Sequence, residues 1–369
     1  MAEIVLALNA GSSTLKYALY RMGEGVEDLL ASSSFRTNGE NADSLLARTL
    51  ERLSEQRLPP PLAVGHRVVH GGQGFTAPTL LDGRVLALLE KLVPLAPLHL
   101  PPALALIRAA LERCPSARHI ACFDTAFHRT LPPVARRLPL PDELDAAGIR
   151  RYGFHGLSYE YVLSALGSPA PERLIVAHLG SGASLAAIHQ GRSIDTTMGL
   201  TPTGGIPMGT RTGDLDPGIL LHLLRERRYS ADQLDHLLNH EAGLKALAGS
   251  AEVSELVARA GSGDAAALSA LEVFAYAIKK QIGAYFAALG GLDCLVFTGG
   301  IGEHAPLVRA LACQGLVALG IELDPTLNAQ NASVISRSTS RCPVRTVATN
   351  EELVIARAGY ALWRQAATA

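Results

Sequence analysis

The chain has 369 residues, of which 48% are hydrophobic and 18% charged, and its formal net charge is -1. This length allows two domains that each bury a core of their own. The near-neutral charge excludes the broad basic surface typical of nucleic-acid and anionic-membrane binding, so we expect neither kind of partner.

The five cysteines are widely scattered and form no Cys-x-x-Cys motif. This pattern argues against a disulfide framework or a zinc site and favours a reducing compartment. The first apolar run, residues 4–8, is too short to span a bilayer and continues directly into a polar turn. We therefore expect a cytoplasmic protein.

The N-terminal region predicts a hairpin. An apolar run over residues 3–8 predicts a buried strand, and a second apolar stretch over residues 18–20 follows a turn rich in Gly, Ser and Thr. Such a turn lets backbone amides approach an anion, and hydroxyls and a lysine add donors. An ordinary polar β-turn is an equally compatible interpretation.

Further charged residues occur near the ends of predicted strands. A helix is predicted over residues 45–58, then a strand carries Arg67 into a glycine turn, and a buried strand over residues 119–123 ends at Asp124. An acid at the carboxyl end of a strand in an α/β sheet is where ligands bind. His155 lies between two glycines and close to two arginines. This setting is as compatible with a functional role as with a structural one.

The second half repeats the organisation of the first. After a proline-rich linker at residues 168–171, an apolar strand over 173–179 runs into a Gly-Ser-Gly turn and a second apolar run. The repeat predicts a duplicated domain, with one half on each side of a polyphosphate. The second hairpin is followed by a glycine-rich stretch, Asp195–Gly218, which we predict to be an active-site loop with Arg211 as its working charge.

Helices dominate the remainder. Asp216 and Pro217 predict a capped helix start, and residues 269–289 predict a long apolar helix. A strand over residues 292–297 leads into a glycine turn, which is a strand-to-helix nucleotide site in outline. Glu351 and Glu352 open the last helix, either as dipole-favoured first-turn acids or as a metal ligand.

A series of motifs follows one order along the chain: NAGSSTLKY at 9–17, GHRVVHGG at 65–72, FDTAFH at 123–128, RYGFHG at 151–156, HLGSG at 178–182, MGLTP at 198–202, MGTRTGDLDPG at 208–218, FTGGIGEH at 297–304 and TNEELVIAR at 349–357. Together they resemble the acetate kinase family over nearly the whole chain, which is somewhat shorter than typical members. The resemblance implies two ribonuclease-H-like α/β domains of the actin/Hsp70/sugar-kinase superfamily around a central cleft. The first would be residues 1–127 joined by a C-terminal helix at 353–369, and the second, at 128–352, would bind nucleotide and form a homodimer.

The resemblance also implies site residues. Those matching catalytic positions are Arg67, Asp124, His155 and Arg211, with the two arginines on the acyl carboxylate and the transferred phosphoryl group. Those matching the acyl pocket are Val69, Leu98, Phe154 and Pro202, beside Arg67. Those matching ATP and phosphate contacts are Ser12, Thr14, Lys16, His178, Leu179, Gly180, Ser181, Gly182, Gly300, Ile301, Gly302, Glu303 and His304. Asn9 and Glu351 match the residues that position Mg²⁺ (or Mn²⁺).

The implied activity is reversible, direct in-line transfer of the γ-phosphoryl group of ATP to acetate, giving acetyl phosphate and ADP. An acyl carboxylate is already ionised at neutral pH, so the reaction needs charge neutralisation more than a base. We therefore interpret Asp124 as orienting an arginine or a metal-bound water. The alternatives are a propionate kinase, an ATP-hydrolysing conformational switch, and a phosphatase of the same fold that uses Asp124 to activate water.

The chain departs from the family pattern at several positions. Ser181 and Leu100 each replace an asparagine, Gln73 replaces a glutamate, and Tyr159 replaces a second histidine. Glu252-Val253-Ser254 aligns with an adenosine-side element but lacks its arginine, so nucleotide preference is open. None of these departures falls on a catalytic position.

Overall fold

The computed structural model describes residues 3–11, 14–36 and 40–368. Contacts divide the chain into two compact units. Unit 1 comprises Met1–Arg129, Phe154–Tyr161 and Asn350–Ala369, and unit 2 comprises Thr130–Gly153 and Val162–Thr349. The short segment Phe154–Tyr161 therefore groups with unit 1, a long-range association that the expected division at residues 127/128 does not anticipate.

Unit 1 contains a six-stranded sheet in the order β3-β2-β1-β4-β6-β5. Its strands are β1 (Glu3–Ala10), β2 (Thr14–Gly23), β3 (Val26–Arg36), β4 (Ala63–Val68), β5 (Thr79–Leu80) and β6 (Arg118–Phe123). The first three strands form an antiparallel meander, whereas β1, β4 and β6 run parallel. The parallel strands are almost entirely buried, as expected for strands covered on both faces.

Unit 2 repeats this topology. Its strands are β7 (Arg173–Leu179), β8 (Ala183–His189), β9 (Arg192–Thr196), β10 (Cys294–Thr298) and β11 (Val344–Thr346). They lie in the order β11-β10-β7-β8-β9, with β7, β8 and β9 antiparallel and β7, β10 and β11 parallel. This order matches the β6-β4-β1-β2-β3 order of the unit 1 sheet. The match confirms the predicted duplication and the two α/β domains of the fold class.

The helices are α1 (Ala42–Glu55), α2 (Gly83–Glu90), α3 (Leu100–Arg113), α4 (Pro133–Arg136), α5 (Asp142–Ala146), α6 (Gly156–Leu166), α7 (Pro217–Arg225), α8 (Ala231–His236), α9 (Gly243–Ala248), α10 (Val253–Gly261), α11 (Ala265–Leu289), α12 (Gly299–His304), α13 (Pro306–Cys313), α14 (Pro325–Ala329) and α15 (Glu351–Thr368). Short 3₁₀ turns cover Val93–Leu95, Asp124–Thr130 and Val317–Leu319, and Leu237–Glu241 is a π-helical turn. No helix within the described ranges is long and apolar enough to cross a membrane.

Two predicted helices begin one turn earlier than their apolar pattern. Asn41 caps α1 by accepting a hydrogen bond from the Ser44 amide at 2.8 Å. Asp264 caps α11 by accepting from two amides of its first turn, at 2.9 and 3.1 Å. A capped first turn satisfies its own amides and need not bury apolar side chains, so periodicity alone places such starts too late.

The last helix, α15, packs on the sheet of unit 1. It runs from Glu351 to Thr368, so it begins at the acids predicted to open it and two residues before the expected C-terminal helix at 353–369. Val354, Ile355 and Ala356 share one buried cluster with residues of β1, β2, β4 and β6. A Cβ atom on Gly65 in β4 would lie 2.4 Å from the Ile355 side chain, so glycine is required for this close approach.

Candidate active site

An arginine and an aspartate meet at the carboxyl edge of the unit 1 sheet. Arg67 lies near the end of β4, and Asp124 directly follows the neighbouring parallel strand β6. Arg67 Nη2 lies 2.6 Å from Asp124 Oδ2, and Arg67 Nε donates to Oδ1 at 3.0 Å. This two-nitrogen arrangement fixes the plane of the guanidinium, so Asp124 is placed to orient Arg67.

The ion pair is strongly desolvated, since the side chains of Arg67 and Asp124 are 14% and 1% exposed. Burial raises the pKa of the Asp124 carboxyl, whereas Arg67 and the backbone N–H of His155 lower it. Burial also opposes the charged guanidinium, but Asp124, Glu351 and Glu352 outweigh it and raise the Arg67 pKa. Arg67 therefore stays cationic and suits an anionic ligand.

The start of α15 completes this cluster. Asn9 Nδ2 donates to Glu351 Oε2 and to Glu352 Oε1, both at 2.8 Å. Asn9 Oδ1 accepts from Arg67 Nη1 at 3.0 Å, and Arg67 Nη1 lies 3.5 Å from Glu351 Oε2. The structure thus brings together four predicted site residues. Glu352, which the sequence left open as the alternative metal ligand to Glu351, accepts from the same Asn9 side-chain amide.

The oxygen donors here fit Mg²⁺ or Mn²⁺. Within the described ranges, no three His, Cys, Asp or Glu side chains converge as a ready-made metal cage. Mg²⁺ seldom uses such a cage, because it is usually held through one or two carboxylates together with substrate phosphates and water. The Glu351 carboxylate and the adjoining Asn9 amide match that modest requirement.

His155 occupies an unusual backbone conformation next to this cluster. Its φ is +57°, and its N–H hydrogen-bonds the Asp124 carboxylate. A Cβ on the following residue, Gly156, would lie 2.0 Å from the Asp124 carbonyl oxygen. The segment bearing His155 is therefore pressed against the segment bearing Asp124, and this brings the third predicted catalytic residue of unit 1 to the cluster.

Three predicted acyl-pocket residues also lie in unit 1. Val69 and Phe154 are 4% and 1% exposed, while Leu98 is half-buried between the Val93–Leu95 turn and α3. The ring of His70 packs edge-on against Phe154, with their centroids 5.4 Å apart. This contact, which sequence reasoning did not identify, restrains the ring of one predicted pocket residue, Phe154.

The N-terminal hairpin contributes Thr14 and Lys16. Lys16 lies on β2 directly opposite Asn9 of β1, with its side chain exposed, and Thr14 is the first residue of that strand. Ser12, predicted as a phosphate contact, lies outside the described residues.

In unit 2, two predicted phosphate-binding turns lie against each other. The hairpin turn joining β7 and β8 is closed by a hydrogen bond from Gly180 N to Gly182 O at 3.0 Å. Gly299, which begins α12, has a φ of +75°, and a Cβ there would lie 2.7 Å from the Leu179 carbonyl oxygen. The residues in or beside these turns are His178, Leu179, Gly180, Ser181, Gly182, Gly300, Ile301, Gly302, Glu303 and His304.

A buried arginine supports the end of α12. Arg309 is fully buried, and its Nη1 donates to the carbonyl oxygens of Gly302 and Glu303 at 2.9 Å each. Its other nitrogens donate to Asn328 and Asn331. Burial lowers its pKa to about 10. A lone arginine in the apolar stretch PLVRALAC was the available sequence clue, and sequence reasoning missed it.

The central loop of unit 2 holds Arg211 against Pro202. Arg211 Nη1 donates to the Pro202 carbonyl oxygen at 3.0 Å. This bond joins the MGLTP and MGTRTGDLDPG motifs of the stretch predicted as an active-site loop. At the end of this stretch, Asp216 caps α7 by accepting from Gly218 N at 2.9 Å, as predicted. The first two residues of the predicted loop, Asp195 and Thr196, belong to β9 instead.

The π-helical turn Leu237–Glu241 braces this loop. Asn239 Oδ1 accepts from Thr203 Oγ1, and its carbonyl accepts from Thr210 Oγ1, both at 2.7 Å. Gly243 fits directly beneath, because a Cβ there would lie 2.1 Å from the Met208 carbonyl oxygen. The sequence predicted only a generally helical region here, although π-turns frequently occur at functional sites.

The chain resembles several kinases along its length. It is 45% identical to an acetate kinase of Arthrobacter sp. (strain FB24), covering 97% of this chain and 98% of that protein. It is 43% identical to the acetate kinase of Nitrobacter hamburgensis, covering 96% and 95%. The crystal structure of a propionate kinase from Francisella tularensis matches with a TM-score of 0.90 at 34% identity, covering 97% of this chain and 99% of that one. The Porphyromonas gingivalis acetate kinase structure matches with a TM-score of 0.87 at 35% identity, covering 98% and 99%.

Every one of these relatives is a kinase, and this chain is therefore an enzyme of the phosphotransferase class. The acetokinase family model matches residues 36–357, which is most of the chain. The protein belongs to the acetokinase family.

The departures from the family pattern differ in their surroundings. Ser181 and Gln73 are exposed. Leu100, the first residue of α3, is fully buried in the core, and Tyr159 is fully buried in unit 1. Glu252 occupies the N-cap of α10 without a side-chain capping bond.

Proposed function

We propose that this enzyme transfers the γ-phosphoryl group of ATP reversibly to acetate, producing acetyl phosphate and ADP. Its membership of the acetokinase family and the acetate kinases among its relatives support this assignment. The single observation that carries the chemistry is the Arg67 guanidinium, held flat by Asp124 beside Asn9 and Glu351. That geometry suits an acyl carboxylate, which pairs with arginine through two parallel hydrogen bonds.

Charge neutralisation is the main catalytic task in this proposal. An acetate carboxylate is ionised at neutral pH and is repelled by the phosphates of ATP. Arg67 binds the acceptor, Arg211 stabilises the transferred phosphoryl group, and His155 contributes a further hydrogen-bond donor to the charge that develops. Asp124 keeps Arg67 in place and does not act as a base.

Mg²⁺ or Mn²⁺ would be held by Asn9 and Glu351, and it supplies neutralisation of the nucleotide phosphates when bound. The glycine turns of unit 2 offer backbone amides to those phosphates, with Gly299 permitting the close packing of one turn on the other. Arg309 keeps the end of α12 fixed. Lys16, Thr14 and Ser12 would supply further phosphate contacts.

Acetate is the first substrate to test and propionate the second. Val69, Leu98, Phe154 and Pro202 are proposed to surround the acyl methyl group, and one additional methylene in such a pocket changes binding by only about 1–3 kcal/mol. The similarity to a propionate kinase structure keeps propionate as a specific alternative. Relative kcat/KM values for acetate, propionate and butyrate measure the preference directly.

A hydroxylamine trap tests the reaction itself. Incubation with ATP, Mg²⁺, acetate and hydroxylamine should produce acetyl hydroxamate in step with ADP. Loss of ATP without hydroxamate would instead support the phosphatase or the conformational-switch interpretation. Substitution of GTP for ATP in the same assay tests whether the Glu252 segment changes nucleotide preference.

The enzyme is also proposed to be a cytoplasmic homodimer. All five cysteines are free thiols, in keeping with a reducing compartment. Helix α7 carries a largely apolar sequence but buries none of its residues, and Ile219, Leu221 and Leu224 are among its exposed side chains. A second copy covering this face would explain it, and sedimentation equilibrium of wild type and Leu221→Glu would measure the association.

A further inference from the structure

His155 is held by hydrogen bonds on every side of its backbone. Its N–H donates to the Asp124 carboxylate, and its carbonyl accepts from Tyr159 N at 3.1 Å. The preceding carbonyl, that of Phe154, lies 3.0 Å from Nε2 of His128. A non-glycine residue at φ +57° is strained, so it persists only where surrounding contacts determine it in this way.

His128 is the member of this set whose purpose the proposed reaction does not explain. It ends the FDTAFH motif, is 3% exposed and directs Nε2 at a backbone carbonyl. Because a carbonyl can only accept, the ring must carry its hydrogen on Nε2. Burial lowers the His128 pKa to about 4, so the imidazole is neutral at physiological pH.

Two aromatic rings hold the His128 imidazole in place. Phe127 packs edge-on against it with a centroid distance of 5.4 Å, and Tyr159 does so at 5.6 Å. Tyr159 is fully buried, and its backbone N–H is the donor to the His155 carbonyl. The side chain of this tyrosine, which departs from the family pattern, therefore contacts the His128 ring, while its backbone holds the His155 carbonyl.

We propose that His128 is a positioning residue, which fixes the peptide between Phe154 and His155 so that the His155 imidazole is presented to the transferred group. It acts together with Asp124, which holds the His155 N–H from the other side and also orients Arg67. The inference rests on the proposed phosphoryl transfer and adds a residue that touches no substrate. The Asp124–His128 turn thus sets the position of both an arginine and a histidine.

Two substitutions separate the hydrogen bond from the packing of the ring. His128→Phe keeps an aromatic ring but removes the donor, whereas His128→Gln provides an amide donor at a similar reach. We expect kcat for hydroxamate formation to fall roughly 10- to 100-fold in His128→Phe, with KM for ATP nearly unchanged. His128→Gln should recover a substantial part of the lost kcat.

Wild-type turnover in His128→Phe would overturn the proposal, as would an equal loss in both variants accompanied by a large rise in KM for ATP. If His128→Phe does not fold, ¹⁵N-histidine NMR of the wild-type enzyme replaces it. A neutral, Nε2-protonated His128 from pH 5 to 8 supports the proposal, and a ring that titrates in this range contradicts it. If wild type forms no hydroxamate, the proposed function fails, and the NMR result still decides the role of His128.

Discussion

Arg67 and Asp124 extend from the ends of two adjacent parallel strands and form an ion pair through two guanidinium nitrogens. The two strands fix the backbone positions of both residues, and the ion pair fixes the position of the guanidinium. Because both groups are buried, the carboxylate contributes to stability and to orientation at the same time.

Asp124→Asn should impair both properties. The amide removes the negative charge and offers an N–H group toward the guanidinium, and disrupting a buried ion pair typically costs about 3–5 kcal/mol. We expect kcat to fall at least about 100-fold, because Arg67 loses its fixed plane. Hydroxamate assays and urea unfolding measure the two effects.

The control is Asp43→Asn, which disrupts the ion pair with Arg113, whose two side chains are 53% and 39% exposed. An exposed ion pair contributes little to stability, so this variant should keep wild-type turnover and nearly wild-type stability. Equal losses in the two variants would show that Asp124 has no special part in orienting Arg67.

Asn239 should influence turnover through the loop that carries Arg211. Asn239→Ala and Thr203→Val each remove the same 2.7 Å hydrogen bond, so their effects should not add. We expect either variant to lower kcat roughly 10-fold, and the double variant to be no worse than the poorer single one. Additive losses would indicate that the two side chains act separately.

Ser262→Ala, which removes an exposed hydrogen bond to the Arg259 carbonyl oxygen, is the matched control and should leave turnover unchanged.

Two glycines should respond in opposite ways to alanine. Gly243 has a φ of +62°, and a Cβ would meet the Met208 carbonyl at 2.1 Å and the Arg211 carbonyl at 2.7 Å. Gly243→Ala should therefore destabilise unit 2 by more than about 2 kcal/mol and reduce turnover. Gly283, within α11, has nothing within 4 Å of a Cβ, so Gly283→Ala should stabilise by about 0.5–1 kcal/mol. Thermal unfolding of both variants shows whether the effect of alanine depends on the backbone conformation and the space at each position.

Acid should destabilise the protein before most carboxylates titrate. Burial lowers the pKa of His128 to about 4 and that of His66 to about 3, from 6.5. Both rings are neutral when folded but bind protons when unfolded below pH 6.5, so stability is lost as pH falls from 6.5 toward 4. The expected slope is about 1.4 kcal/mol per pH unit for each histidine.

Urea unfolding at pH 5 and pH 7 measures this slope. His222→Gln, which replaces an exposed histidine on α7, should leave it unchanged. A wild-type stability that stays constant between the two pH values would contradict the neutral, buried state of both rings.

Local patterns in the sequence were sufficient for much of the fold. The apolar run of β1 and the helical spacing of α11 predict those elements, and the two glycine-turn hairpins predict the duplicated sheet. Strand β3 was missed because its residues are exposed or only half-buried apart from Phe35, so it lacks the regular alternation of buried apolar and exposed polar residues that marks a strand in sequence. Its hydrogen bonds to β2 define it instead.

The candidate site was predictable where motifs carry charged side chains, as at Arg67, Asp124 and Glu351. The supporting residues were not, because their function depends on backbone groups distant in the sequence. His128 bonds a carbonyl 26 residues away, and Arg309 bonds the Asn328 carbonyl 19 residues away. Such partners leave no periodicity along the chain, so only the folded structure identifies them.

The hydrogen bond between Asn9 and Glu351 joins positions 342 residues apart. Unfolding of α15 would therefore remove both carboxylates that contact the Asn9 amide and uncover the face of the unit 1 sheet on which this helix packs. Because Asn9 and Glu351 also contact the Arg67 guanidinium, the surroundings of that arginine depend on an intact first turn of the last helix.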